Sequence, residues 1–182
     1  MILRVFLLFL LLYFFAACEG KKSEDDLNAT RSSELKQDEK LNFSLILNSG
    51  KEIFIKSERQ RLEFDTEDRA VLFVFFTTWC KPCNAMIPHL NKLQEKYKES
   101  FVIVGVLLEE KEANELNDFL NSNKISYPIA QGDGNYLLAK SIGGINALPV
   151  MVLYSNEGKL INHYLGIIPQ EMLDIDIQKA FM

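Results

Sequence analysis

A chain of 182 residues holds one domain with a sizeable core, and is too short for two full domains once a leader is removed. Hydrophobic residues make up 48% and charged residues 25%, with 13 phenylalanines. The formal net charge is −5, and Lys and Glu are mixed along the chain as on an ordinary solvated surface. That balance excludes the basic footprint of a nucleic-acid binder.

The chain begins MILRVFLLFLLLYFFAAC, with Arg4 as a short positive region and an apolar run from Val5 to Phe15. The run is too short for a comfortable membrane span, and its flanks fit a secretory signal. Ala16 and Ala17 precede Cys18, and the segment resembles a bacterial lipoprotein signal, with Phe15 where that pattern usually has Leu. The resemblance implies cleavage before Cys18 and a lipid on its sulfur, so residues 1–17 are expected to be a signal peptide. The alternative is a plain signal or anchor with an incidental cysteine. Residues 18–40, with GKKSEDD and RSSELKQDEK, are polar and poor in aromatics, as suits a tether lifting a domain off a bilayer. Residues 41–182 are then the folded domain.

Within that domain, LNFSLILNSGKEIFI predicts a hairpin that turns at Asn48-Ser49-Gly50. Ser57 to Asp68 is charged and reads as surface cover. Val71 to Phe76 is a continuous apolar run, as in a strand buried on both faces. Met86, Leu90, Leu93 and Tyr97 then recur at helical spacing beside Ile87, with Pro88 expected to kink the helix. Phe101 to Leu108 predicts a second buried strand, and Glu112 to Leu120 a helix through Ala113, Leu116 and Leu120. A shorter helix follows from Asn135 to Ile142, closed by Gly143-Gly144. Val150 to Tyr154 and Leu160 to Tyr164 form a hairpin around Asn156-Glu157-Gly158. Pro169 suits the first turn of a last helix, with Leu173, Ile177, Ala180 and Phe181 as its buried face. This order implies an α/β domain: a mixed sheet with helices on both faces. GGIN at Gly143 to Asn146 follows a helix and precedes a proline, the wrong setting for a phosphate loop.

FFTTWCKPCNAM places Cys80 and Cys83 where a buried strand gives way to a helix. The unpaired N–H groups of a first helical turn stabilise a thiolate at Cys80, and Lys81 adds positive charge. Cys83 lies one turn further in, close enough for a disulfide. A structural zinc site wants four ligands, and the only other candidates are His89, His163 and Cys18. A copper relay would suit C-x-x-x-C better than the C-x-x-C found here. An inert structural disulfide is a third alternative. The setting favours thiol–disulfide exchange over all three, and leaves His89 and His163 as surface residues.

The stretch FFTTWCKPCNAMIPHLNKLQEKY is similar to the active-site strand and helix of the thioredoxin superfamily. The similarity is greatest to its TlpA/ResA branch of exported, membrane-anchored thiol–disulfide oxidoreductases, and it runs from about Phe43 to the C-terminus. It implies a thioredoxin-like fold: a central mixed sheet flanked by helices, an N-terminal hairpin, and the branch's helix/strand insertion, supplied in part by Val102 to Ile129. It implies that Cys80 is the exposed nucleophile, Cys83 the resolving thiol, and Pro149 in Ala147-Leu148-Pro149 the cis-proline beside them. Trp79 corresponds to the residue flanking the site, packing beside the sheet, lining the site, or both. No cofactor or metal is implied.

Two positions depart from the pattern or match it loosely. Val74 stands where many relatives carry Asp or Asn, so no buried carboxylate serves Cys83 there. Glu110, with Glu109 as its neighbour, best matches a glutamate that cytochrome-linked members place near the site; the alternative is a solvated residue opening a helix. Pro82 before the second cysteine resembles reducing members, although Lys81 pushes the other way. A reductant in an oxidising compartment implies a membrane electron donor of the DsbD or CcdA type. Its targets would be exported disulfide-containing proteins, with apocytochrome c a candidate. The expected location is the bacterial cell envelope, lipid-anchored, with the domain facing the periplasm or exterior. A disulfide oxidase or isomerase of the same fold, or a non-catalytic binding module, are the alternatives.

Overall fold

The computed structural model describes residues 40–58 and 61–181. The signal peptide expected at 1–17 and the tether at 18–40, Cys18 included, lie outside the described residues except for Lys40. Among the described residues eight strands and four helices follow in chain order: β1 Leu41–Leu47, β2 Glu52–Glu58, β3 Arg61–Phe64, β4 Ala70–Phe76, α1 Lys81–Lys96, β5 Phe101–Leu107, α2 Ala113–Ser122, β6 Ile129–Gln131, α3 Gly134–Ser141, β7 Val150–Tyr154, β8 Leu160–Leu165 and α4 Gln170–Lys179.

The strands form one mixed sheet in the order β3-β2-β1-β6-β5-β4-β7-β8. At its centre β4 pairs in parallel with β5 and antiparallel with β7. Every residue of β4 and β5 is buried, which is why both read as unbroken apolar runs. The pleat sends alternate residues of β4 to opposite faces. Leu72, Val74 and Phe76 pack with Met86, Leu90 and Leu93 of α1, Leu116 of α2, and Leu173 and Ile177 of α4. Val71, Phe73 and Phe75 pack with Leu138 and Ala139 of α3, and with Leu45, Ile53, Ile55 and Leu62 of the N-terminal strands.

Three helices thus cover one face, whereas α3 shares the other with a curled β-ribbon. The curl brings β3 to the turn between β7 and β8, where the Leu62 N–H donates to the Gly158 carbonyl at 3.1 Å and Arg61 bridges to Lys159. Phe64, Phe73 and Tyr154 meet beneath it edge to face, with ring centroids 6.1–6.2 Å apart.

The expected hairpin, central strands and helices are present, and α2 with β6 supplies the helix and strand inserted after β5. Two strands depart from the sequence reading. Ser57 to Asp68, read as surface cover, contains the end of β2 and all of β3; Leu62 is 1% exposed, between the exposed Arg61 and Glu63. Two inward residues, Leu62 and Phe64, set among charges give too short an alternation to register as a strand. β6 is three residues long and follows Pro128, so its pattern is equally short. At the C-terminus Pro169 is the N-cap of α4 rather than part of its first turn. Phe181 is 37% exposed, its ring centroid 5.7 Å from that of Tyr97, while Leu173, Ile177 and Ala180 are buried as expected.

Candidate active site

β4 ends at Phe76, and the turn Thr77–Cys80 carries the chain into α1. Cys80 is the N-cap, in extended conformation, and its Sγ accepts the Cys83 N–H at 3.2 Å. Pro82 lies in the first turn, where its missing N–H costs nothing. Cys80 and Cys83 form a disulfide, with Cα atoms 5.3 Å apart. The amide that meets the Cys80 sulfur now can hold a thiolate at the same place after reduction, because helix N-termini favour negative charge.

The two cysteines are equally buried in this oxidised state, each 4% exposed. The expected contrast between an exposed Cys80 and a shielded Cys83 is therefore absent: the bond holds both in the apolar cluster of Val74, Phe76 and Met86. Trp79 is 72% exposed, so of its two expected roles packing against the sheet does not occur. It directly precedes Cys80 in the turn into α1.

The Leu148–Pro149 peptide is cis, and Pro149 is buried. Val150 lies opposite Phe75 in the antiparallel β4–β7 pair, which brings Pro149 level with the end of β4, where the Thr77–Cys80 turn departs. The Pro149 carbonyl accepts the Gly166 N–H at 2.8 Å, tying this loop to the end of β8.

The glutamate at the turn is Glu109, not Glu110. Past the end of β5 the Leu108 N–H still donates to the Phe76 carbonyl at 2.9 Å, keeping the chain beside the exit of β4 for one more residue. Glu109 Oε1 then accepts the Thr78 N–H at 2.5 Å, while Glu110 is exposed. The sequence offered two adjacent glutamates, and only the strand register chose between them.

Asn84 escaped the sequence reading altogether. Its Nδ2 donates to the Thr78 carbonyl at 3.1 Å, and its backbone N–H to the Cys80 carbonyl at 3.0 Å. Its place directly after the second cysteine was the only signal. Val74, 4% exposed, leaves the cluster around the cysteines without a carboxylate at that position. His89 is exposed, with Nδ1 3.2 Å from Gln170 Oε1, and His163 is exposed on β8. Among the described residues no group of three or more His, Cys, Asp or Glu side chains could hold a metal.

Residues 68–160 match the thioredoxin-like family. The thiol–disulfide oxidoreductase ResA of Bacillus anthracis is 28% identical over 138 residues, which cover 76% of this chain and 74% of that protein. Among solved structures, StoA from Bacillus subtilis superposes with a TM-score of 0.60 at 22% identity, covering 76% of this chain and 98% of its own. A thioredoxin-family thiol:disulfide interchange protein from Chlorobium tepidum gives a TM-score of 0.61 at 21% identity, covering 76% and 92%. The chain belongs to the thioredoxin-like family, as one of its thiol–disulfide oxidoreductases.

Proposed function

We propose that the protein reduces disulfides in exported proteins from a lipid-anchored position in the bacterial envelope. The observation that carries the redox reading is the Cys80–Cys83 bond at the start of α1, with the Cys83 amide on the Cys80 sulfur. In the reduced protein the Cys80 thiolate attacks one sulfur of a substrate disulfide. A Cys80–substrate bond forms, the substrate S–S bond breaks, and the released thiolate takes a proton. Cys83, deprotonated, then attacks the Cys80 sulfur, closing the Cys80–Cys83 bond and releasing the second substrate thiolate. Two electrons pass to the substrate. With valine at position 74, no carboxylate at that position takes the Cys83 proton, which leaves through another base or through water.

Pro82, where strong oxidants more often carry histidine, supports reduction over oxidation. Pro149 and Trp79 line the substrate's approach in this reading. A membrane thiol transporter of the DsbD or CcdA type returns the electrons, and apocytochrome c is the candidate target. The lipid anchor rests on the leader sequence and Cys18.

Cys83→Ala tests the mechanism and the partner together. Attack by Cys80 still occurs but resolution cannot, so the variant accumulates mixed disulfides that disappear when Cys80→Ala is added. Mass spectrometry of species trapped in cells, recovered with membranes carrying fatty acid on Cys18, is expected to identify exported proteins. Apocytochrome c among them supports the maturation role; its absence from a broad set removes it. Trapping by Cys80→Ala but not Cys83→Ala, or a reduction potential near about −120 mV rather than below about −200 mV, overturns the proposal.

A further inference from the structure

We infer that Glu109 and Asn84 clamp the two peptide groups of Thr78, and so position Trp79 and Cys80 for exchange with a protein disulfide. In this role Glu109 serves as a hydrogen-bond acceptor and not as a proton carrier. The inference rests on the exchange reading above, but it is carried by a different set of contacts.

Thr78 lies in the middle of the turn from β4 to α1. Its N–H goes to Glu109 Oε1 at 2.5 Å, and its carbonyl accepts from Asn84 Nδ2 at 3.1 Å. The two partners come from different elements: Glu109 from the segment just past β5, Asn84 from the first turn of α1. The turn also closes on itself, with the Cys80 N–H on the Thr77 carbonyl at 3.2 Å, and is tied onward by the Asn84 N–H on the Cys80 carbonyl. A carboxylate accepting a backbone N–H makes a charge-assisted bond, stronger than a neutral one.

The residue after Thr78 is Trp79, whose ring is too exposed for packing to orient it. The residue after that is the nucleophile. Holding Thr78 from both sides is therefore what sets the direction in which the indole and the Cys80 sulfur face an incoming chain. Orientation of this kind matters most for a large substrate, whose disulfide must meet the sulfur in line while its flanking chain docks. A small dithiol, which brings no docked chain, depends on it far less. Asn84 leaves its Oδ1 buried without a partner. Such an atom is a cost to folding, tolerated here where the same side chain donates to Thr78.

Gln at position 109 keeps the acceptor oxygen and loses the titratable group, which separates positioning from proton transfer. Reduction of a protein disulfide such as insulin is expected to fall about tenfold in Glu109→Ala, the loss of one hydrogen bond's worth of alignment. Glu109→Gln is expected to recover most of that rate with an unshifted pH profile. Reaction of dithiothreitol with the protein's own Cys80–Cys83 bond should change by less than about twofold in either variant. Asn84→Ala should mimic Glu109→Ala, and the double variant should be little slower than either, because both contacts act on one residue. The Thr78 amide provides a readout independent of turnover: protected from hydrogen exchange in the wild type and in Glu109→Gln, exposed in Glu109→Ala. If the wild type does not reduce insulin, the exchange reading falls, while the amide still judges the clamp. Glu109→Gln as slow as Glu109→Ala with a shifted pH profile, or an unprotected Thr78 amide in the wild type, overturns the inference.

Discussion

Val74 shares a buried cluster with Cys80, Cys83, Phe76 and Met86, and is 4% exposed. A carboxylate there is largely removed from solvent, and burial raises its pKa above the ordinary value of about 3.9. Val74→Asp is therefore tolerated when protonated and costly when ionised. A group whose folded pKa is raised in this way binds more protons folded than unfolded, so stability falls as pH rises from the unfolded value towards the folded one. The variant is expected to lose about 2–3 kcal/mol at pH 7 and distinctly less near pH 4, as measured by urea unfolding. It should also gain a pH-dependent limb in the resolution step that the wild type lacks. Equal losses at both pH values would mean that lost packing, and not the buried charge, sets the cost. The same scale explains the two residues that sequence reasoning placed imperfectly. Glu109 and Glu110 are chemically alike, and the extra β5–β4 hydrogen bond at Leu108 separates them. The resemblance implies an exposed Cys80, but in the disulfide with Cys83 it lies in the apolar cluster.

At the scale of elements, α4 is docked by two carboxylates as well as by Leu173 and Ile177. Asp174 accepts from Lys96 Nζ at 2.6 Å and from the Tyr97 hydroxyl at 2.9 Å, tying α4 to the end of α1. Asp176 accepts from Lys179 Nζ at 2.7 Å, and from Asn162 Nδ2 at 2.9 Å and the Tyr164 hydroxyl at 2.8 Å on β8. The Lys179 hydrogen bond, helped by Asn162 and Tyr164 and opposed by desolvation, holds the Asp176 carboxyl below its usual range. Lys96 does the same for Asp174. A depressed folded pKa contributes stability that is present above the unfolded value of about 3.9 and is lost as pH falls through the folded one. Asp176→Asn should lower stability by on the order of 1 kcal/mol at pH 7, since the group borders solvent. Thermal unfolding of variant and wild type should converge as pH approaches about 2. A gap that persists undiminished in acid would show that shape rather than charge holds α4.

Across the whole molecule, the curl of the β-ribbon is closed at one point, where β3 meets the turn between β7 and β8. Gly158 has φ +73, and a Cβ there would lie 1.8 Å from the Leu62 carbonyl oxygen. Gly158→Ala must therefore strain its own backbone and break the Leu62–Gly158 hydrogen bond, at a combined cost of about 2–3 kcal/mol. Gly50 has φ +82 but open space around its missing side chain, so Gly50→Ala should cost only about 1 kcal/mol. Urea midpoints at unchanged m-values measure both; equal losses would remove the closure from the account.

By itself the sequence determined the central strands, the helix that starts at the cysteines, the hairpins at either end of the domain and the thioredoxin-like resemblance. Long apolar runs and helical periodicity are local signals, strong enough to survive without knowledge of neighbours. The cis peptide before Pro149 was expected from that resemblance alone, since a trans bond is the default for any sequence. Tertiary structure alone decided that Leu62 and the three residues of β6 are strand, that a ribbon rather than a further helix helps cover the face of Phe73, and that Glu109 rather than Glu110 reaches Thr78. Each of these turns on pairing between segments far apart in the chain, where register and closure, and not residue type, determine which side chain faces inward.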